Sequence, residues 1–140
     1  MKPPDQTKRE LVREWLVKAE EDLGAAKYLL SGATCFPSVV AFHAQPAAEK
    51  HLKALLTWQQ IEFPKTHDID ELLDLLTAAD ANLAASLRVA SSLTPYAVEV
   101  RYPSDIPSLA PDEARNAVEL SGRVASAILA ALAPALMADS

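Results

Sequence analysis

Cysteine is nearly missing from this chain. Cys35 stands alone among 140 residues, so neither an internal disulfide nor a thiolate cluster for zinc can form. Glycine is almost as scarce, at three residues, which leaves no glycine-rich loop to cradle a phosphate. Positive charge is in deficit: 13 Lys and Arg face 19 Asp and Glu, for a formal net charge of −6. A protein that tracks a nucleic-acid backbone needs the opposite balance. No apolar run follows Met1-Lys2-Pro3-Pro4-Asp5, so no secretory leader is expected. The most apolar stretch, Val124 to Met137, is about 14 residues and holds Pro134, against the ~20 residues a spanning helix needs. It is expected to be a buried or partner-facing terminal helix, with no membrane role.

What is present is apolar material: 50% of the residues are hydrophobic, enough to bury a core and to exclude disorder. The length suits one domain over residues 1–140, with loose ends at about 1–7 and 135–140. A soluble, cytoplasmic protein is expected. Alanine and leucine make up about a third of the chain, and both favour helix.

The first periodic segment, about Lys8 to Leu30, places Leu11, Trp15, Ala19, Leu23, Ala26 and Leu30 at steps of three or four, and Ser31-Gly32 ends it. A second runs from about Pro37 to Ile61. Val40, Ala44, Ala47, His51, Ala54, Leu55 and Trp58 share its apolar face, with Glu49, Lys50, Lys53 and Thr57 opposite. Pro46 falls inside it, where a missing N–H and a steric clash predict a kink. Thr66 is placed to cap a short helix, about His67 to Ala78. A fourth helix is expected after Asp80 to about Val98, with Leu83, Leu87, Ala90, Leu93 and Ala97 inward. Three prolines between Glu99 and Pro111 break the chain before a last helix through Ala117, Leu120, Val124, Ile128 and Leu132. No segment alternates with period two. The fold class is therefore all-α: an antiparallel up-and-down helical bundle of four long helices and one short one.

Connectivity brings polar residues together. If the second helix ends near residue 61 and the fourth returns, Lys53, Lys65, His67, Asp68 and Arg101 should converge at one end of the bundle, with Glu49 a turn deeper. Each also has a bland reading. Glu49 and Lys53 fit a solvated i,i+4 pair, Lys65 to Asp68 a turn and cap, and Arg101 a brace for the long loop. His51 lies on the apolar face as a core histidine. No two histidines have ligand spacing, so neither a metal nor any other cofactor is expected, and Cys35 reads as a structural thiol.

Several runs together resemble the HEPN (higher eukaryote and prokaryote nucleotide-binding) domain family. They are Trp15 with AEEDL at Ala19 to Leu23; AFHAQPAAEKHLKALL from Ala41 to Leu56; KTHD from Lys65 to Asp68; and RYP from Arg101 to Pro103. The resemblance implies a helical bundle that forms homodimers, is often encoded beside a minimal nucleotidyltransferase, and acts in a toxin–antitoxin-like pair. The matched polar positions are Gln45, Glu49, Lys50, Lys53, His67, Asp68 and Arg101. Lys65 and Tyr102, next to them in sequence, complete the candidate ligand-binding set. Two departures stand out. Pro46 occupies a position that is usually polar or small in the family. The ribonuclease branch's Arg, followed by a His after four to six intervening residues, is also absent: His43 lies 30 residues past Arg13.

The leading expectation is thus a non-catalytic HEPN-type module that binds a nucleotide or other phosphate-bearing ligand, or docks a nucleotidyltransferase. The first alternative is a metal-independent endoribonuclease toxin, with RNA as substrate, using His67 as acid or base and Arg101 to stabilise a phosphorane. The second is a homo-oligomeric scaffold without ligand, built on the Ala-rich last helix.

Overall fold

The computed structural model of the chain describes residues 4–32, 36–97 and 108–137. Three long helices, α1 (Pro4–Ser31), α2 (Pro37–Trp58) and α5 (Pro111–Met137), frame an all-α bundle. Between them lie α3 (Ile69–Thr77), α4 (Ala81–Ser86) and a 3₁₀ helix (Arg88–Tyr96). Among the described residues there is no strand. Helix α1 begins at Pro4 and α5 runs to Met137.

The direction of the long helices follows from their contacts. Lys8 Nζ sits 4.0 Å over the Trp58 ring, and Arg9 Nε donates to the Ala135 carbonyl at 3.2 Å. The start of α1 therefore meets the ends of both α2 and α5, so α1 is antiparallel to them. The seam of α1 is Val12, Leu16, Ala19, Leu23 and Ala26, all buried. The upper part of this stripe was legible, but its first two members were read one residue early. Leu11 is 46% exposed, and Trp15 is half-buried. Spacings of three and four fit both registers there; packing against α2 selects Val12 and Leu16.

Helix α2 is the axis of the molecule. Thirteen of its residues are buried, including Gln45, Glu49, His51 and Lys53, so it has no broad solvated face. It continues unbroken through Pro46, which therefore does not split it. It ends three residues earlier than expected, in a turn of defined geometry. Gln60 takes a left-handed φ of 58°, its N–H bonds the Thr57 carbonyl (3.1 Å), and the Ile61 N–H bonds that of Leu56 (2.9 Å). These are the paired bonds of a Schellman motif, with glutamine where glycine is usual. The chain then runs back alongside α2.

The expected fourth long helix is two pieces. Asp80 caps α4 through the Leu83 N–H (3.0 Å), and beyond Leu87 the helix tightens to 3₁₀. Ala84, Leu87, Ala90 and Leu93 are the buried residues here, each three from the next. Three residues per turn put them on one line, which an α-helix would rotate away from the core. The bundle therefore has three long helices where four were expected.

Helix α5 matches its expected inward residues and adds Ala114, Val118, Ser121 and Ala125 to them. Its length and composition alone make it apolar enough to cross a bilayer, starting well before Val124. Nine of its residues are buried in the bundle, with Asp112, Glu113, Arg115 and Glu119 exposed, the pattern of a core helix.

Candidate functional site

Residues 42, 45, 46, 49 and 50 of α2 fall on one side of the helix, at steps of three and four or next to one another. With His67 and Ala97 they line an open cleft of about 230 Å³. Its floor is a buried carboxylate. Glu49, 5% exposed, accepts from Lys53 Nζ at 2.8 Å, His67 Nδ1 at 2.7 Å and Gln45 Nε2 at 3.3 Å. Burial pushes its pKa up, but the bonds from Lys53, His67 and Gln45 outweigh this and hold the carboxyl below the ordinary range. Glu49 is thus an anion fixed by three donors.

Lys53 is held on every side. Its ammonium is 7% exposed, bonds Glu49 and lies 5.6 Å and 5.7 Å from the Trp15 and Phe63 rings. Those rings meet edge to face at 6.1 Å. Half-buried Trp15 thus covers a cation, which explains why an aromatic departs from the apolar seam.

His67 is the opposite case, with its side chain 72% exposed. A carboxylate can only accept, so Nδ1 carries the hydrogen and the ring turns Nε2 outward. Gln45 fixes the backbone as well, donating to the His67 carbonyl at 2.9 Å. The next residue starts α3: Asp68 accepts from the Asp70 and Glu71 N–H groups at 2.9 and 3.4 Å. Asp68 is the N-cap in place of Thr66, whose hydroxyl instead accepts from the Asp68 N–H and donates to Glu71.

A second carboxylate lies beside the first. Asp22 of α1 accepts from Lys50 Nζ at 2.6 Å and from His43 Nδ1 at 3.2 Å. His43 and Lys50 are seven apart and so share a face of α2. The ring of Phe42, 46% exposed, meets the His43 ring at 5.9 Å. Two carboxylates thus each hold one lysine and one histidine.

Of the residues anticipated from sequence, Gln45, Glu49, Lys50, Lys53 and His67 come together. They do so along the middle of α2, not at the end of the bundle, because the segment after Gln60 folds back. Asp68 adjoins the cleft, but its carboxylate is committed to the α3 cap. Lys65 is exposed and makes no hydrogen bond or ion pair with the described residues. Arg101 and Tyr102 lie outside the described residues, as does Cys35. Glu49 and Lys53 are a buried pair, not the solvated one their spacing also allowed. His51 is a core histidine as read, fully buried, with Nδ1 donating to the Ala47 carbonyl at 2.8 Å and Nε2 without a partner. Among the described residues no group of three or more His, Cys, Asp or Glu is arranged to hold a metal ion. Sequence reasoning overlooked Asp22, His43, Phe42 and Ala97. The i+7 spacing of His43 and Lys50 was the available signal for one pair.

A helical bundle with a carboxylate-anchored histidine at a side cleft defines a small all-α module. The model of the HEPN domain family matches residues 12–131, and the chain belongs to that family. The crystal structure of an archaeal HEPN homologue is similar, with a TM-score of 0.65 and 24% identity over 86% of this chain and 97% of that one. At that identity the likeness speaks for the fold. A search of curated proteins returned no match.

Proposed function

We propose that this HEPN domain is a binding module whose side cleft takes a nucleotide or another phosphate-bearing ligand. The observation that carries the reading is the construction of the cleft wall. Glu49 and Gln45 fix His67 at side chain and backbone, so its outer nitrogen is presented in one orientation. Fixing an exposed polar edge lowers the entropy cost of binding. The exposed Phe42 ring supplies a stacking surface on the same wall. The ligand fits as the product or substrate of a minimal nucleotidyltransferase partner in a toxin–antitoxin-like pair. Calorimetric titration with nucleoside mono-, di- and triphosphates is expected to give saturable binding that His67→Gln weakens. No heat at millimolar nucleotide removes the reading.

One observation favours a second reading, a metal-independent endoribonuclease. A buried carboxylate on Nδ1 orients an imidazole for proton transfer through Nε2. His67 is then the acid or base, and Arg101 remains the proposed stabiliser of the phosphorane. Purified protein is expected to cleave RNA in the presence of chelator, and His67→Ala to abolish it. Equal cleavage by both forms removes this mechanism.

A further inference from the structure

We propose that anion binding in this cleft is switched by the protonation of His67, because both lysines at the site are already neutralised by buried or half-buried carboxylates. This rests on the phosphate-ligand reading above and adds its regulation.

Lys53 is spent on Glu49 at 2.8 Å and enclosed by Trp15 and Phe63. Lys50 is spent on Asp22 at 2.6 Å. Two cations and two anions sum to zero, so the cleft offers an incoming anion no net attraction from its lysines. His67 is the cleft-lining group that is both exposed and able to gain a charge by taking up a proton. With Nδ1–H committed to Glu49, a proton added to the ring goes to Nε2, the outward edge. That single event converts an acceptor into a charged donor pointing at solvent.

The surroundings of His67 make the change local. From α2 it bonds Glu49 directly, that carboxylate is shared with Lys53, and Lys50 lines the same cleft while bonded to Asp22 of α1. Its own segment carries Lys65 and the capping Asp68, and α3 presents Glu71, which is bonded to Thr66. Arg88 of the 3₁₀ helix is engaged by Asp70 and Asp74. His43 is also bonded to a carboxylate, but it does not line the cleft.

By linkage, a ligand that prefers protonated His67 must raise the affinity of His67 for its proton by the same factor. The ligand class is a compact anion whose own charge is constant across neutrality, such as a phosphodiester.

The test uses the full chain with two probes of fixed charge, adenosine 3′,5′-cyclic monophosphate and sulfate. Affinities are measured by NMR titration at pH 5.5 and 8.0, and the His67 imidazole signal is followed through pH with and without probe. Wild-type affinity is expected to fall about tenfold or more between pH 5.5 and 8.0. The titration midpoint of His67 should move up when probe is saturating. His67→Gln is expected to bind weakly and equally at both pH values, with an unchanged thermal midpoint showing that it is folded. His43→Gln is expected to keep the wild-type pH dependence. Binding with equal affinity at both pH values overturns the switch and leaves the phosphate-ligand reading standing. Loss of the pH dependence in His43→Gln also overturns it. No binding of either probe at either pH also overturns the switch, while the phosphate-ligand reading stands or falls by the nucleotide titration.

Discussion

Glu49 shows how far a residue's neighbours decide its role. Its i,i+4 spacing to Lys53 is the commonest surface arrangement on helices, yet here both groups are buried. A buried pair costs desolvation on both sides, and breaking it by removing one partner strands a charge. Glu49→Leu is therefore expected to destabilise by about 3–5 kcal/mol in urea denaturation, because Lys53 keeps its charge among Trp15 and Phe63. The double variant Glu49→Leu with Lys53→Met is expected to regain most of that loss. If the double variant is as unstable as the single, the stranded-charge account is wrong. His51 carries a different burden. Burial holds its pKa below the ordinary value near 6.5, since a second proton on Nε2 would find no acceptor. The unfolded chain then binds protons more readily below about pH 6.5, so this contribution to stability is complete above that value and is lost as pH falls toward the folded pKa. The urea midpoint is expected to drop between pH 7 and pH 5, and His51→Leu to flatten that slope. An unchanged slope removes His51 as its source.

At the level of elements, periodicity placed α1, α2 and α5, because long amphipathic runs override local detail. Four features escaped it, each for a physical reason. The 3₁₀ helix was read as α because Leu87, Ala90 and Leu93 satisfy both spacings, and only contact with the core separates a step of three from a step of 3.6. The register of Leu11 and Trp15 failed similarly. The burial of Glu49 and Lys53 was hidden because composition does not say how many neighbours surround a helix. The turn after α2 was missed because its left-handed residue is Gln60, not glycine. That conformation costs a side-chain-bearing residue energy that glycine avoids. Gln60→Gly is expected to stabilise by about 0.5–1 kcal/mol, net of the greater freedom of glycine in the unfolded chain, read from the thermal midpoint. A decrease would mean that the Gln60 side chain makes an offsetting contact.

On the scale of the whole molecule, the candidate site was legible as a set of residues but not as a place. The KTHD and AFHAQPAAEKHLKALL runs supplied Gln45, Glu49, Lys50, Lys53 and His67, whereas their meeting point followed from a chain reversal that no pattern announced. Family membership also bears on surfaces. Leu11, Val17 and Tyr28 on α1, Val39 and Phe42 on α2, and Phe36 just before α2 are exposed hydrophobics on or beside two helices that pack against each other. The proposed homodimer would cover part of this apolar surface. Light scattering is expected to report the mass of two 15.1 kDa chains, and a single-chain mass at high concentration removes the dimer.

The reversal at Gln60 has a consequence for how the domain tolerates change. From the end of α2 back to the level of Gln45 and Glu49 is about 14–20 Å along the helix axis. The seven steps from Gln60 to His67 span at most about 25 Å. The segment is long enough with about 5–11 Å to spare, and it delivers one imidazole to one carboxylate. Its letters are far freer, since Glu62 and Lys65 are both exposed. Exchanging such residues should leave the wall of the cleft intact. Deleting three would cut the reach to about 14 Å, too short for the rise back to Glu49 and the sideways step to its carboxylate, so a sound bundle with a blank site is the lesion expected from such a shortening.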